Sequence, residues 1–195
     1  MAAASFSRAQ LDSFRGATVP DLLGGAGDTP TRLLFVGINP GLWTAAAGAH
    51  FARRGNRFWP ALHAAGITPR LVDASAGMTA DDRAMVVDLG IGITNLVPIA
   101  TARADELTAQ QLLAGGRALV ESVARIGPAV VAVLGVTAYR QAFGVPSTSI
   151  GRQAQQIADA ELWVLPNPSG LNAHESLASL AAAYRQAAVA AGLVT

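Results

Sequence analysis

Apolar positions along the chain alternate between short unbroken runs and longer stripes at helical spacing. Arg32 to Val36, with Leu33-Leu34-Phe35-Val36 continuously apolar, predicts a strand covered on both faces. Gly92-Ile93-Thr94-Asn95-Leu96-Val97 predicts a second strand, stopped by Pro98, and the β-branched run Ala129 to Gly135 predicts a third. Gln155 to Leu165 predicts a hairpin about Asp159-Ala160, with Glu161 to Leu165 as the last core strand. Between these runs the spacing changes. Phe58, Leu62 and Ala65 share one face of a predicted helix that Gly66 ends. Thr79 to Val87 predicts another, with Asp81 and Asp82 suited to its first turn. Thr108 to Ile126 carries a stripe of Leu112, Leu113, Leu119, Val120 and Val123, weakened at its middle by Gly115-Gly116. Thr137 to Phe143 and His174 to Ala191 complete the helices.

Strands alternating with helices predict an α/β fold: three α/β/α layers with a mostly parallel central sheet. Residues 1–17 read as a loose or partly helical extension, and Gly24 to Thr31 as a loop into the first strand. Residues 18–195 are expected to form one domain, within the size of a single core.

Composition narrows the chemistry. Hydrophobic residues make up 51% of the 195 and charged residues 14%, so most of the chain is expected to pack. The chain has no cysteine, which removes disulfides, thiolate catalysis and Cys-ligated zinc. No apolar run reaches the roughly 20 residues of a membrane helix, and the start lacks the pattern of a secretion signal, so a soluble cytoplasmic monomer is expected. All 14 basic residues are arginines, and the net charge is only +1. Arg53, Arg54 and Arg57 nevertheless cluster, and their forked guanidinium groups suit phosphate oxygens.

The first apolar run ends in Gly37-Ile38-Asn39-Pro40-Gly41, a turn that would carry Asn39 to the carboxyl edge of the sheet. Ligands bind at that edge in open α/β sheets. Pro40 fixes a dihedral, and Gly37 and Gly41 let a ligand approach the backbone. With no carboxylate, Cys or His in the turn, neither a metal nor a cofactor is expected. A structural alternative is that Asn39 merely caps the turn. A second polar loop, Asn167-Pro168-Ser169-Gly170-Leu171-Asn172, comes after the last predicted strand.

The two loops, about 130 residues apart in this order, together with Gly48 through Trp59, Gly92 through Val97, Leu113-Ala114-Gly115-Gly116-Arg117, Leu134-Gly135 and Trp163 through Leu171, resemble the mismatch-specific uracil-DNA glycosylase family. That family includes the thymine-DNA glycosylases and belongs to the uracil-DNA glycosylase superfamily. The resemblance runs from Val19 to Tyr184. It implies a uracil-DNA glycosylase-like fold and a monofunctional enzyme acting on double-stranded DNA with a mismatched or damaged pyrimidine. The target nucleotide would be flipped out and its N-glycosidic bond hydrolysed.

The same resemblance implies roles. Asn39 would hold the attacking water, and orientation counts for more than basicity against an oxocarbenium-like carbon. Phe51 would stack on the flipped base, with the Ile38 and Phe51 amides donating to its carbonyls. Gly41, His50 and Asn95 would complete the base pocket, with His50 donating to the leaving base or to a phosphate. Leu171 would fill the gap left by the nucleotide. Gly170 would present backbone to the opposite guanine, and Ser169 and Asn172 would reach phosphates. Asp88 and Asp105, near Asn95 in sequence, are secondary candidates for a base. Where some relatives carry an arginine two places after the wedge leucine, this chain has Ala173, followed by His174. Competing readings are a serine hydrolase using Ser169 and His174, a small-nucleotide binder, and a protein that flips damaged bases without cutting.

Overall fold

The computed structural model describes residues 5–25 and 27–195; the first four residues of the expected extension, and one position of the loop before the first strand, lie outside it. Five strands form one sheet: β1 (Leu33–Gly37), β2 (Ile91–Asn95), β3 (Val130–Leu134), β4 (Gly151–Ile157) and β5 (Ala160–Leu165). Their order is β2-β1-β3-β5-β4. Strands β2, β1, β3 and β5 run parallel to one another, and β4 is an antiparallel edge strand on β5. This is the predicted three-layer α/β architecture.

Alternation along the strands divides the core. Leu33, Phe35, Ile91, Ile93, Ala132 and Leu165 face one side, where they meet α3 (Phe58–Ala64) and α7 (Leu177–Ala190) through Phe58, Leu62, Leu180 and Tyr184. Leu34, Val36, Val131, Val133, Leu162 and Val164 face the other, against α5 (Ala109–Ile126) and α6 (Val136–Phe143). Buried on both faces, these strands need the continuous apolar runs that marked them in the sequence.

Two glycines that weaken α5 by propensity are required by its packing. A Cβ on Gly115 would press into the Leu96 carbonyl, and one on Gly116 into the Ala142 carbonyl. The bare backbone lets α5 lie directly on the segment leaving β2 and on α6. The helix is secured at its start by a capping box between Thr108 and Gln111, whose N–H donates to Thr108 Oγ1 at 3.1 Å.

The chain departs most from the predicted boundaries at three elements. β2 is Ile91–Asn95, so Leu96 and Val97 leave the ladder, although their N–H groups still donate to Gly37 O and Ile38 O at 2.9 Å each. The hairpin's first strand begins at Gly151, four residues earlier than predicted, with Ala158 at φ 50° in its tight turn. α7 starts at Leu177, because Ser176 caps it and accepts from Ser179 N–H. The described part of the extension forms a short helix, α1 (Arg8–Asp12), and lies against the fold: Phe6 sits edge-on to Trp43 with ring centres 5.0 Å apart, and Gly16 N–H donates to Ala100 O at 2.8 Å. No described helix is long and apolar enough to cross a membrane.

β1 lies between β2 and β3: the chain passes from it to β2 on one side and then crosses over to β3 on the other. Such a reversal opens a crevice at the strands' carboxyl ends. In register, Gly37 stands opposite Asn95, and Leu134 opposite Leu165. The loops beyond these four residues therefore share one edge of the sheet.

Candidate active site

Beyond β1 the chain makes the turn Ile38-Asn39-Pro40-Gly41 and enters α2 (Leu42–Ala47), a six-residue helix that the hydrophobic pattern did not announce. The turn is tied to the loop after β2: Thr101 N–H donates to Pro40 O at 3.2 Å. The Asn39 side chain is oriented by the same segment. Its Nδ2 donates to Ile99 O at 3.0 Å, to Thr101 Oγ1 at 2.8 Å and, more weakly, to Pro40 O at 3.2 Å. Two of these partners are carbonyls that can only accept, which fixes which end of the amide is nitrogen. The Thr101 hydroxyl is itself spent on Arg103 O at 2.7 Å, so it too accepts from Asn39. Oδ1 meets no protein donor among the described residues and is not sealed from solvent. The turn thus presents one immobilised acceptor to the cleft.

Phe51 forms a wall of that cleft. One face of its ring stacks on Phe58, with centres 4.0 Å apart and planes 23° apart. Its φ is 55°, a left-handed conformation that costs a non-glycine residue about 1–3 kcal/mol. Gly37 accounts for part of this close fit: a Cβ there would stand 2.5 Å from Asn95 Oδ1 and 3.4 Å from the Phe51 ring. Neither the Ile38 nor the Phe51 backbone N–H meets a protein acceptor among the described residues, as donors kept for a ligand require.

His50 departs from its expected role. The residue is 3% exposed, and Nε2 lies 3.0 Å from Pro20 O. A carbonyl only accepts, so Nε2 carries the proton, and Nδ1 turns its lone pair toward Asn95 Nδ2 at 3.5 Å. The single N–H is committed, which leaves none for a leaving base or a phosphate. Burial lowers the pKa from 6.5, against smaller opposing effects of the Pro20 carbonyl and Asp21, while Arg83 lowers it slightly further. The imidazole is therefore neutral in the folded protein at neutral pH. Its linkage to stability has a definite sign. Below pH 6.5 the unfolded chain binds a proton that the folded chain refuses, so this contribution is complete above 6.5 and is lost as pH falls toward the lowered folded value. Urea unfolding of the wild type should show an acid loss of up to roughly 1.4 kcal/mol per pH unit from this group, and His50→Gln should lack that part of the slope. Parallel pH profiles for the two proteins would disprove it.

The second loop approaches from the end of β5. Asn167 Oδ1 accepts from Ser169 N–H at 2.9 Å, and Ser169 Oγ accepts from Leu171 N–H at 3.3 Å, so the loop folds on itself and turns its tip outward. Leu171 is 73% exposed. Gly170 rests on the first loop's neighbour: a Cβ there would stand 2.6 Å from Gly55 O. Asn172 was expected to reach phosphate, but it braces its own loop instead, with Nδ2 donating to Asn167 O at 3.1 Å and Oδ1 accepting from His174 N–H at 3.3 Å. The Ser169 hydroxyl and the His174 ring make no hydrogen bond to each other, so the serine-hydrolase pair is not assembled.

Both loops line one cleft of about 310 Å³, together with Thr44, His50, Phe51, Asn95 and Leu134. That volume lies at the lower end of the range for small-ligand sites, roughly 300–1,000 Å³. Arg53 stands at its margin. With Arg54, Gly170 and Leu171 it also lines an adjoining groove of about 280 Å³, where an approaching phosphate would meet two guanidinium groups. Arg57 does not join them. It was expected at phosphate, yet its guanidinium is turned inward onto the carbonyls of Ser169, Asn172 and Glu175.

The two carboxylate candidates separate. Asp105 does line the cleft but is paired with Arg103, at 3.1 and 2.6 Å, on an exposed rim. Asp88 is exposed at the end of α4 (Ala80–Asp88), just before β2 begins. It therefore sits at the amino edge of the sheet, a five-residue strand or roughly 15 Å from the cleft. Nearness to Asn95 in sequence misled because a strand intervenes. Sequence reasoning also passed over Thr101, Arg103 and Asn56, which line the cleft. Only Asn167 had a local signal, an Asn-Pro-Ser turn whose side chain closes on the backbone two residues on.

A family model described as "Uracil DNA glycosylase superfamily" matches residues 25–190, from before β1 to the last residue of α7.

Proposed function

Because the chain belongs to the uracil-DNA glycosylase superfamily, a family of DNA-acting hydrolases that remove uracil, we propose that it is a mismatch-specific enzyme of that kind. Its substrate would be a uracil opposite guanine in double-stranded DNA, with thymine and exocyclic cytosine adducts as further candidates, and its product an abasic site that starts base excision repair. The observation that carries this reading is the meeting of two loops on one cleft, one ending in the anchored Asn39 and the other in the exposed Leu171.

The chemistry is set by the groups present. The flipped pyrimidine lies on the outer face of Phe51, and its carbonyls accept from the Ile38 and Phe51 N–H groups. As the bond from C1′ to the base breaks, its electron pair leaves with the base, and charge grows on those carbonyls. Preoriented donors stabilise that charge without reorganising. Asn39 Oδ1 accepts a hydrogen bond from a water and holds its lone pair toward C1′; after attack the water's proton passes to solvent. Neither a thiol nor a metal is needed for these steps, and the described residues contain no cluster of three or more His, Asp or Glu suited to a metal.

Selectivity for an opposite guanine would rest on the Gly170 backbone and the exposed His174 ring, since Ala173 offers no side-chain donor. Trp43, two residues past Gly41, is not in the cleft: its Nε1 donates to Ser75 O at 2.9 Å. Thr44, by contrast, lines the cleft and would help to limit the room beside the base.

End-labelled duplexes carrying guanine–uracil, adenine–uracil and guanine–thymine pairs, treated with alkali after incubation, test the reading. Cleavage is expected first and fastest at guanine–uracil. Equal rates opposite guanine and adenine would remove the mismatch assignment. Tight binding without any abasic product would favour instead a domain that flips damaged bases and leaves them intact.

A further inference from the structure

Arg57 is where the pocket and the wedge loop are joined. Its guanidinium donates to Ser169 O at 2.7 Å, to Asn172 O at 2.8 Å and to Glu175 O, and its backbone N–H donates to Pro168 O at 2.9 Å. A single residue therefore holds four carbonyls spread from Pro168 to Glu175. The guanidinium's Nε is buried with no partner among the described residues, a cost borne where the other donors hold the group in place. Arg57 also stands immediately before α3, whose first residue, Phe58, supports the Phe51 ring. The backbone that carries this clamp is thus continuous with the floor under the base.

We propose that Arg57 is a positioning residue that locks the wedge loop to the base pocket, so that Leu171 enters the duplex at a fixed distance from the stacked base. This rests on the glycosylase reading above. A planar fork suits the task, because it can meet three carbonyls at once, whereas a lysine ammonium on a flexible stem would hold fewer of them in register. A loop freed of Arg57 would still carry Leu171, but over many orientations. The penalty would fall on substrates that must be opened and plugged. A uracil in a single strand needs no plug, and its excision should be nearly untouched.

The test compares wild type, Arg57→Ala and Arg57→Lys on a guanine–uracil duplex and on a uracil-containing single strand, with thermal melting of each protein alongside. In Arg57→Ala the ratio of duplex to single-strand kcat/KM should fall about tenfold, or about 1.4 kcal/mol, with Arg57→Lys between it and wild type. A parallel fall on both substrates would overturn the proposal. Should Arg57→Ala melt far below wild type, the ratio in Arg57→Lys decides by the same criterion. A wild-type protein that releases uracil from neither substrate would defeat the glycosylase reading itself. Activity on both, with an unchanged ratio in the variants, would defeat only the coupling.

Discussion

Asn39→Ala is expected to excise uracil from a guanine–uracil duplex about 1,000-fold more slowly than wild type, a loss of about 4 kcal/mol in the chemical step. Binding of the same duplex should change by less than about threefold, since duplex affinity resides mainly in phosphate contacts. The geometry dictates this split. Asn39 contributes one acceptor to the cleft, and its other end is occupied by Ile99 O and Thr101 Oγ1. Truncation removes the anchor for the water while the Phe51 wall, the Ile38 and Phe51 amides and the arginine rim remain. An amide is too weak a base to remove a proton from water on its own. It supplies placement, and placement is the scarce quantity when the carbon under attack is already cationic. Single-turnover rates and gel-shift titrations on one duplex measure both quantities. A rate within tenfold of wild type would mean that another group holds the water. Asp105, a carboxylate that lines the cleft, would then have to abandon Arg103 to do so.

The outline of this site was legible in the sequence because its parts are backbone-defined. β1, β3 and β5 are apolar runs that stop abruptly, and in a parallel sheet the residues just past those stops must emerge at one edge. Asn39 and Leu171 are placed by that rule and by the turn residues around them. Side-chain allegiance was not legible. Arg53, Arg54 and Arg57 look alike in sequence, yet the first two line the outer groove and the third faces inward. The difference arises because Arg57 precedes the first turn of α3, and the wedge loop docks on that turn. His50 and Asn172 fail for a related reason: backbone carbonyls claim their donors, Pro20 from a distant segment for His50 and Asn167 from the same loop for Asn172. Gly115 and Gly116 show the reverse case. Read locally they weaken a helix, but the contact they permit, with Leu96 and Ala142, exists only in the folded packing.

Leu171→Ala should lower excision from a guanine–uracil duplex about 100-fold, or about 2.7 kcal/mol, a magnitude set by the few kcal/mol that separate a stacked base step from an opened one. Excision from a single strand should change little. The free protein should barely register the substitution, because a side chain 73% exposed buries almost nothing to lose. A leucine held out on a loop tip contributes nothing to the unbound fold, while three neighbouring features hold its backbone: the Ser169 hydroxyl bonded to its N–H, Gly170 seated on Gly55, and Arg57 gripping the loop from behind. Rigid support for an apolar side chain in water makes physical sense only if its burial comes with a ligand. In the duplex the side chain would occupy the space vacated by the nucleotide, delaying its return and extending the time available for the slow bond cleavage. Rates on the two substrates, with melting temperatures for both proteins, separate this from a general defect. If Leu171→Ala slows both substrates equally, the leucine acts on the pocket rather than on the helix, and the vacated space is filled by something else.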